Sequence, residues 1–109
     1  MAETRIIFST WPDAETAERA AREVVQANLA ACANILPGAV SIYRWDDKVM
    51  RDPECIMILK TSTDTARALV QRLAAIHPYD TPALTALPIE AAQSHQAFLD
   101  WIKAVTNSA

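Results

Sequence analysis

The spacing of apolar positions along this chain switches repeatedly between strand-like and helix-like periods. A short apolar run, Ile6-Ile7-Phe8, closed by Ser9-Thr10-Trp11-Pro12, predicts a first strand over residues 4–10. From about Asp13 the period becomes helical: Ala14, Ala17, Ala21, Val24, Val25 and Leu29 recur at threes and fours and form one apolar stripe. Asp13 is placed to cap this helix, with Glu15 and Glu18 near the positive end of its dipole. Residues 31–45 then turn extended. Ala31, Ala33 and Ile35 share one face, and Val40, Ile42 and Tyr43 continue past a break at Pro37-Gly38. Gly38 is the only glycine, and after proline it reads as a turn or bulge with positive φ. Asp46-Asp47 reverses the chain, and Cys55-Ile56-Met57-Ile58-Leu59 returns as a strand that barely alternates, which predicts burial on both faces.

Thr63 or Asp64 opens a second helix with Ala66, Leu69, Val70, Leu73 and Ile76 as its stripe, and His77-Pro78 stops it. A fourth strand runs over residues 83–90; Pro88 cannot donate to a ladder, so this strand belongs on an edge. Ser94 starts a last helix, with Phe98, Trp101, Ile102 and Val105 on one side. The order β-α-β-β-α-β plus a terminal helix is the ferredoxin-like arrangement, an α+β fold with an antiparallel sheet. Residues 1–109 read as a single domain without repeat, linker or low-complexity tract. Both crossover helices would cover the same face of that sheet. The third strand is nevertheless apolar on both faces, so the bare face calls for a partner, most simply copies of the same chain.

Composition narrows the class. Half of the 109 residues are apolar, enough for a packed core. Net charge is −3, and Arg19, Arg22, Arg67 and Arg72 interleave with Glu15, Glu18, Glu23 and Asp64, so no basic stripe for nucleic acid is expected. No stretch approaches the roughly 20 apolar residues of a membrane span, and no basic flank with a long apolar run opens the chain. Cys32 and Cys55 fit reduced thiols, which points to the cytoplasm.

Two unusual runs stand out against this background. One is Leu29-Ala30-Ala31-Cys32-Ala33-Asn34-Ile35-Leu36-Pro37-Gly38 with Tyr43 and Trp45 beyond it; the other is His77-Pro78-Tyr79-Asp80-Thr81-Pro82. Together with Lys60-Thr61 and Leu99-Asp100-Trp101, in this order over residues 4–105, they resemble the CutA family of divalent-cation tolerance proteins. The resemblance implies a ferredoxin-like homotrimer similar in fold to the PII signalling proteins, with strand edges paired between subunits. It implies a non-enzymatic role in tolerance of divalent cations such as copper, with a copper ion as the conceivable cofactor. Three positions depart from the family pattern: Asp46-Asp47 lacks the usual turn glycine, Ala91-Ala92-Gln93 lacks another, and Phe98 stands where tyrosine is common. Ser9 and Ile76 occupy positions where some bacterial members carry a cysteine and a second histidine associated with copper, leaving only His77.

Residue chemistry gives the candidates two readings each. His77 is the best candidate metal ligand or acid–base group, since imidazole binds metals and titrates near neutrality; its position equally suits a helix-ending histidine bonded to backbone. Cys32 and Cys55 lack any close ligand spacing and read as small buried hydrophobes. Asp46, Asp47, Asp52 and Glu54 could attract a hard cation or simply be solvated. Trp45, Lys60, Tyr79, Asp80, Glu90 and Trp101 read either as trimer contacts or as walls of a small-ligand cleft between subunits. A catalytic role for His77 with Asp80 or Glu90 finds no nucleophile at a sharp turn and no phosphate cradle, so no enzyme is expected. Two functions from different classes therefore remain: metal handling through His77, or a PII-like signalling or scaffolding trimer that binds a small molecule.

Overall fold

The computed structural model describes residues 3–107. In chain order the elements are β1 (Thr4–Trp11), α1 (Ala14–Gln26), β2 (Cys32–Trp45), β3 (Lys48–Ser62), α2 (Thr63–Ile76), β4 (Leu84–Pro88), a 3₁₀ turn (Ala91–Gln93) and α3 (Gln96–Thr106). The four strands form one antiparallel sheet in the order β2-β3-β1-β4, so β2 and β4 are its open edges. This is the expected ferredoxin-like α+β arrangement, with Pro88 on an edge strand.

Local chemistry fixes the element ends. The Asp13 carboxylate accepts the Thr16 amide at 2.7 Å and caps α1, and this bond holds the Asp13 carboxyl below the usual range. At the other end Asn28 takes a left-handed φ of 59°, and the amides of Leu29 and Ala30 turn back to the Val24 carbonyl. Gly38 has φ 89°, and the β2–β3 register shifts between Leu36 and Ala39, as a bulge requires. Asp46 and Asp47 both take left-handed φ values, 52° and 63°, and close a two-residue hairpin between Trp45 and Lys48.

Alternation along the strands sorts the two sheet faces. Ile7, Ser9 and Trp11 on β1 lie opposite Leu59, Met57 and Cys55 on β3, and all six are buried beneath α1 and α2. Val24, Leu69 and Leu73 complete this core from the helices. The other face carries Ile6, Phe8, Ile56, Ile58, Leu36 and Leu87 by register. Only its Thr4–Ser62 end is closed, where Thr106 Oγ1 of α3 stands 2.9 Å from Ser62 Oγ. The remainder is open: Phe8, Leu36 and Leu87 are exposed, and Ile56 and Ile58 are only partly buried. The apolar centre of β3 is thus buried on one face of the single chain and only partly covered on the other.

Three expectations are corrected. The returning strand starts at Lys48, seven residues before Cys55, because the tight Asp46-Asp47 turn keeps both arms in register from its first pair. The fourth strand is shorter than residues 83–90, ending at Pro88. The last helix starts at Gln96 after the 3₁₀ turn, and its buried side is Leu99, Ile102 and Thr106. Phe98 and Trp101 instead stack on each other at 5.8 Å and stay exposed, because the small cluster of Ala31, Leu99 and Ile102 fills the space beneath α3.

Candidate functional site

The β2–β3 hairpin exposes Ile42 and Trp45 at 70% and 65%. At its root the segment after α2 folds against it, and the space between them is a cavity of about 670 Å³. Thr10, Tyr43, Trp45, Asp52, Glu54, Tyr79 and Asp80 are among the residues that line it.

A relay of buried contacts positions the wall after α2. Pro78 ends the helix, and the His77 ring turns back to stack on Trp11, with centroids 4.0 Å apart. The Tyr79 amide donates to His77 Nδ1 at 3.1 Å, so that nitrogen is the acceptor and Nε2 carries the proton it donates to the Thr10 carbonyl at 2.9 Å. Trp11 is anchored in turn by its indole N–H, which donates to Ser9 Oγ at 2.8 Å; Ser9 Oγ donates onward to the Met57 carbonyl at 2.8 Å. Tyr79 packs 4.8 Å from His77, and its hydroxyl donates to the Glu54 carboxylate at 3.0 Å. Across the cavity the Tyr43 hydroxyl donates to Asp52. Asp52 and Glu54 stand two apart on β3 and so project from one face.

These pairs shape the local electrostatics. Burial, and then the bond to Glu54 and the nearby carboxylate charge, push the Tyr79 phenol up to about 12. The hydrogen bond to Asp52 raises Tyr43 in the same direction. Both phenols are therefore neutral donors at physiological pH. Burial raises both the Cys32 and the Cys55 thiol above the ordinary value.

The candidates from the sequence separate into two groups. Trp45, Tyr79 and Asp80 meet around the cavity. Lys60, Glu90 and Trp101 do not line it: Lys60 donates to Asn34 Oδ1, the Glu90 carbonyl accepts from Ser94 Oγ at 2.7 Å beside the 3₁₀ turn, and Trp101 stacks on Phe98. His77 lies behind the cavity wall, 8% exposed, with both ring nitrogens hydrogen-bonded. Among the described residues no three His, Cys, Asp or Glu side chains gather where they could hold a metal ion. Sequence reasoning left Tyr43 out of the site and gave Asp52 and Glu54 only as part of a hairpin carboxylate group that could attract a hard cation. The alternation that puts Asp52 and Glu54 on one strand face was legible, but their phenol partners lie 9 and 25 residues away.

The sequence matches the family described as CutA1 divalent ion tolerance protein over residues 5–105. The chain belongs to this family. It is 41% identical over 98 residues to the divalent-cation tolerance protein CutA of Thermus thermophilus, covering 90% of this chain and 93% of that protein. It is 39% identical over 101 residues to the mouse Protein CutA, covering 93% of this chain but only 56% of that longer protein. Among solved structures, the PII-like protein CutA of Nostoc in apo form superimposes with a TM-score of 0.87 at 31% identity, over 94% of this chain and 97% of the other. The CutA1 fold and the likeness to PII-like structures agree with the strand order and helix placement described above.

Proposed function

We propose that this protein is a homotrimer that serves the response to divalent cations by binding a small ligand in the cavity between Tyr43 and Tyr79, rather than by holding copper at His77. The observation that carries this reading is the cavity itself. It is of small-molecule size, walled by three aromatic rings and bounded by carboxylates, and both phenols are already oriented by hydrogen bonds. His77 supports it as a positioning residue, since its two nitrogens hold Thr10 and Tyr79 in place. The open sheet face and the free β2 edge support assembly, and the homotrimer implied by the family resemblance sets the expected number at three.

Native mass spectrometry of untagged protein purified without chelators, combined with thermal melts against copper and a panel of charged and neutral metabolites, tests this. A trimer that melts higher with one metabolite in the absence of metal agrees with the reading. A monomer would overturn the assembly. A trimer carrying stoichiometric copper that is lost in His77→Ala would restore the metal reading.

A further inference from the structure

We infer that the cavity between Tyr43 and Tyr79 takes a small organic cation, a protonated amine or quaternary ammonium ion, and this inference rests on that cavity being the ligand site proposed above. The charged side chains that line it are Asp52, Glu54 and Asp80, and no lysine or arginine is among them. An anion entering there would meet three carboxylates and no counter-charge. The rings of Tyr43, Trp45 and Tyr79 share the same walls. Aromatic faces attract cations, and most of all weakly hydrated ones such as alkylammonium ions.

Asp52 and Glu54 each accept one phenol hydroxyl. A carboxylate offers about four lone-pair sites, so both retain capacity for the N–H or polarised C–H groups of an ammonium ion. The charge of these same carboxylates is among the causes that raise both phenols above their ordinary value.

A bare divalent metal is served less well. It needs several oxygen ligands converging at about 2.0–2.6 Å, whereas no three acidic, histidine or cysteine side chains among the described residues come together as a metal group. Aromatic walls offer nothing to a strongly hydrated dication. They suit an ion whose charge is spread over methyl or methylene groups. The volume of about 670 Å³ also exceeds the needs of a single small ion and matches a molecule of several carbon atoms.

The test is isothermal titration of the full-length, untagged protein in an amine-free phosphate buffer. The probes are choline, its neutral carbon isostere 3,3-dimethylbutan-1-ol, and spermidine. At least one of the two cations should bind, more weakly as salt is raised; if that cation is choline, the neutral isostere should bind at least about tenfold more weakly. Asp52→Asn, which keeps an acceptor for Tyr43, and Trp45→Ala should each weaken the bound cation by about tenfold. Trp101→Ala, on α3 and outside the cavity, should leave binding unchanged. Circular dichroism and native mass confirm that each variant is folded and assembled.

Equal binding of choline and the isostere would overturn the cation assignment while leaving the cavity as a ligand site. So would an anionic or neutral metabolite whose binding is lost in Trp45→Ala. If no probe and no metabolite of any charge binds in a way that Trp45→Ala abolishes, the inference and the ligand-site reading fall together.

Discussion

Replacing Ser9 by alanine removes one oxygen atom, and the structure assigns that oxygen two tasks. Ser9 is fully buried; its hydroxyl donates to the Met57 carbonyl and accepts the indole N–H of the equally buried Trp11. In Ser9→Ala the indole donor loses the acceptor the fold gives it. An unsatisfied buried donor costs about 1–3 kcal/mol, and the lost bond to Met57 adds a smaller amount, so about 2–3 kcal/mol is expected. That is a large share of the roughly 5–15 kcal/mol that holds such a domain together. Urea unfolding followed by tryptophan fluorescence, at one fixed protein concentration, reads it directly. With a slope of about 1–3 kcal/mol per molar urea, the midpoint should fall by about 1 M or more. Trp11→Phe removes the donor itself, so in that background Ser9→Ala should cost no more than about 1 kcal/mol. An equal cost in both backgrounds would refute the reasoning, because the orphaned indole would then not be the source of the loss.

Alkaline titration at 295 nm should show Tyr79 ionising near 12, well above the ordinary value of 10.0, and Glu54→Gln should bring it down. The folded chain holds that proton more tightly than the unfolded one. The associated stability is therefore complete below about pH 10 and is lost as pH climbs towards 12, which alkaline melts should record. Gly38→Ala should destabilise by about 1–2 kcal/mol in urea; no atom lies within 4 Å of the added methyl, so the cost is the left-handed backbone alone. The double substitution Asp46→Asn, Asp47→Gly should raise stability by about 0.5–1 kcal/mol, since both residues already hold left-handed angles that asparagine and glycine adopt more readily. Leu69→Ala, at a fully buried position under α2, should cost about 2–5 kcal/mol by the same unfolding assay.

The fold was legible wherever a local rule governed. Asp13 announces a cap, Pro37-Gly38 a bulge, and His77-Pro78 a helix end, and each is where its chemistry predicts. The helix-period stripes of α1 and α2 gave the helical side of the core, and the apolar second face of β3 gave the open surface. The last helix was misread because Phe98 and Trp101 are the largest apolar groups on it. Burial there follows the shape of a small cluster around Ala31, which the sequence does not reveal. The site was half legible for a similar reason. Trp45, Tyr79 and Asp80 drew attention as unusual side chains, but the phenol–carboxylate pairs depend on the register of the hairpin and on a fold-back over 25 residues. His77 invited a metal from its residue type and the family resemblance, and a backbone-bonded role from its place at a helix end. Its ring contacts Trp11, Thr10 and Tyr79, partners that only three-dimensional packing brings together.

A newly made chain carries the open outer edge of β2, beside exposed Leu36, Val40 and Ile42. Such an edge is a template for any other extended segment, and apolar side chains beside it make wrong pairing adhesive. Under the homotrimer reading proposed above, an isolated copy faces a race between capture by the right neighbour and coalescence with the wrong one. The first outcome becomes scarcer as the chain is diluted. Under that reading, abundance in the cell follows the rate of finding identical copies as much as the stability of any one of them.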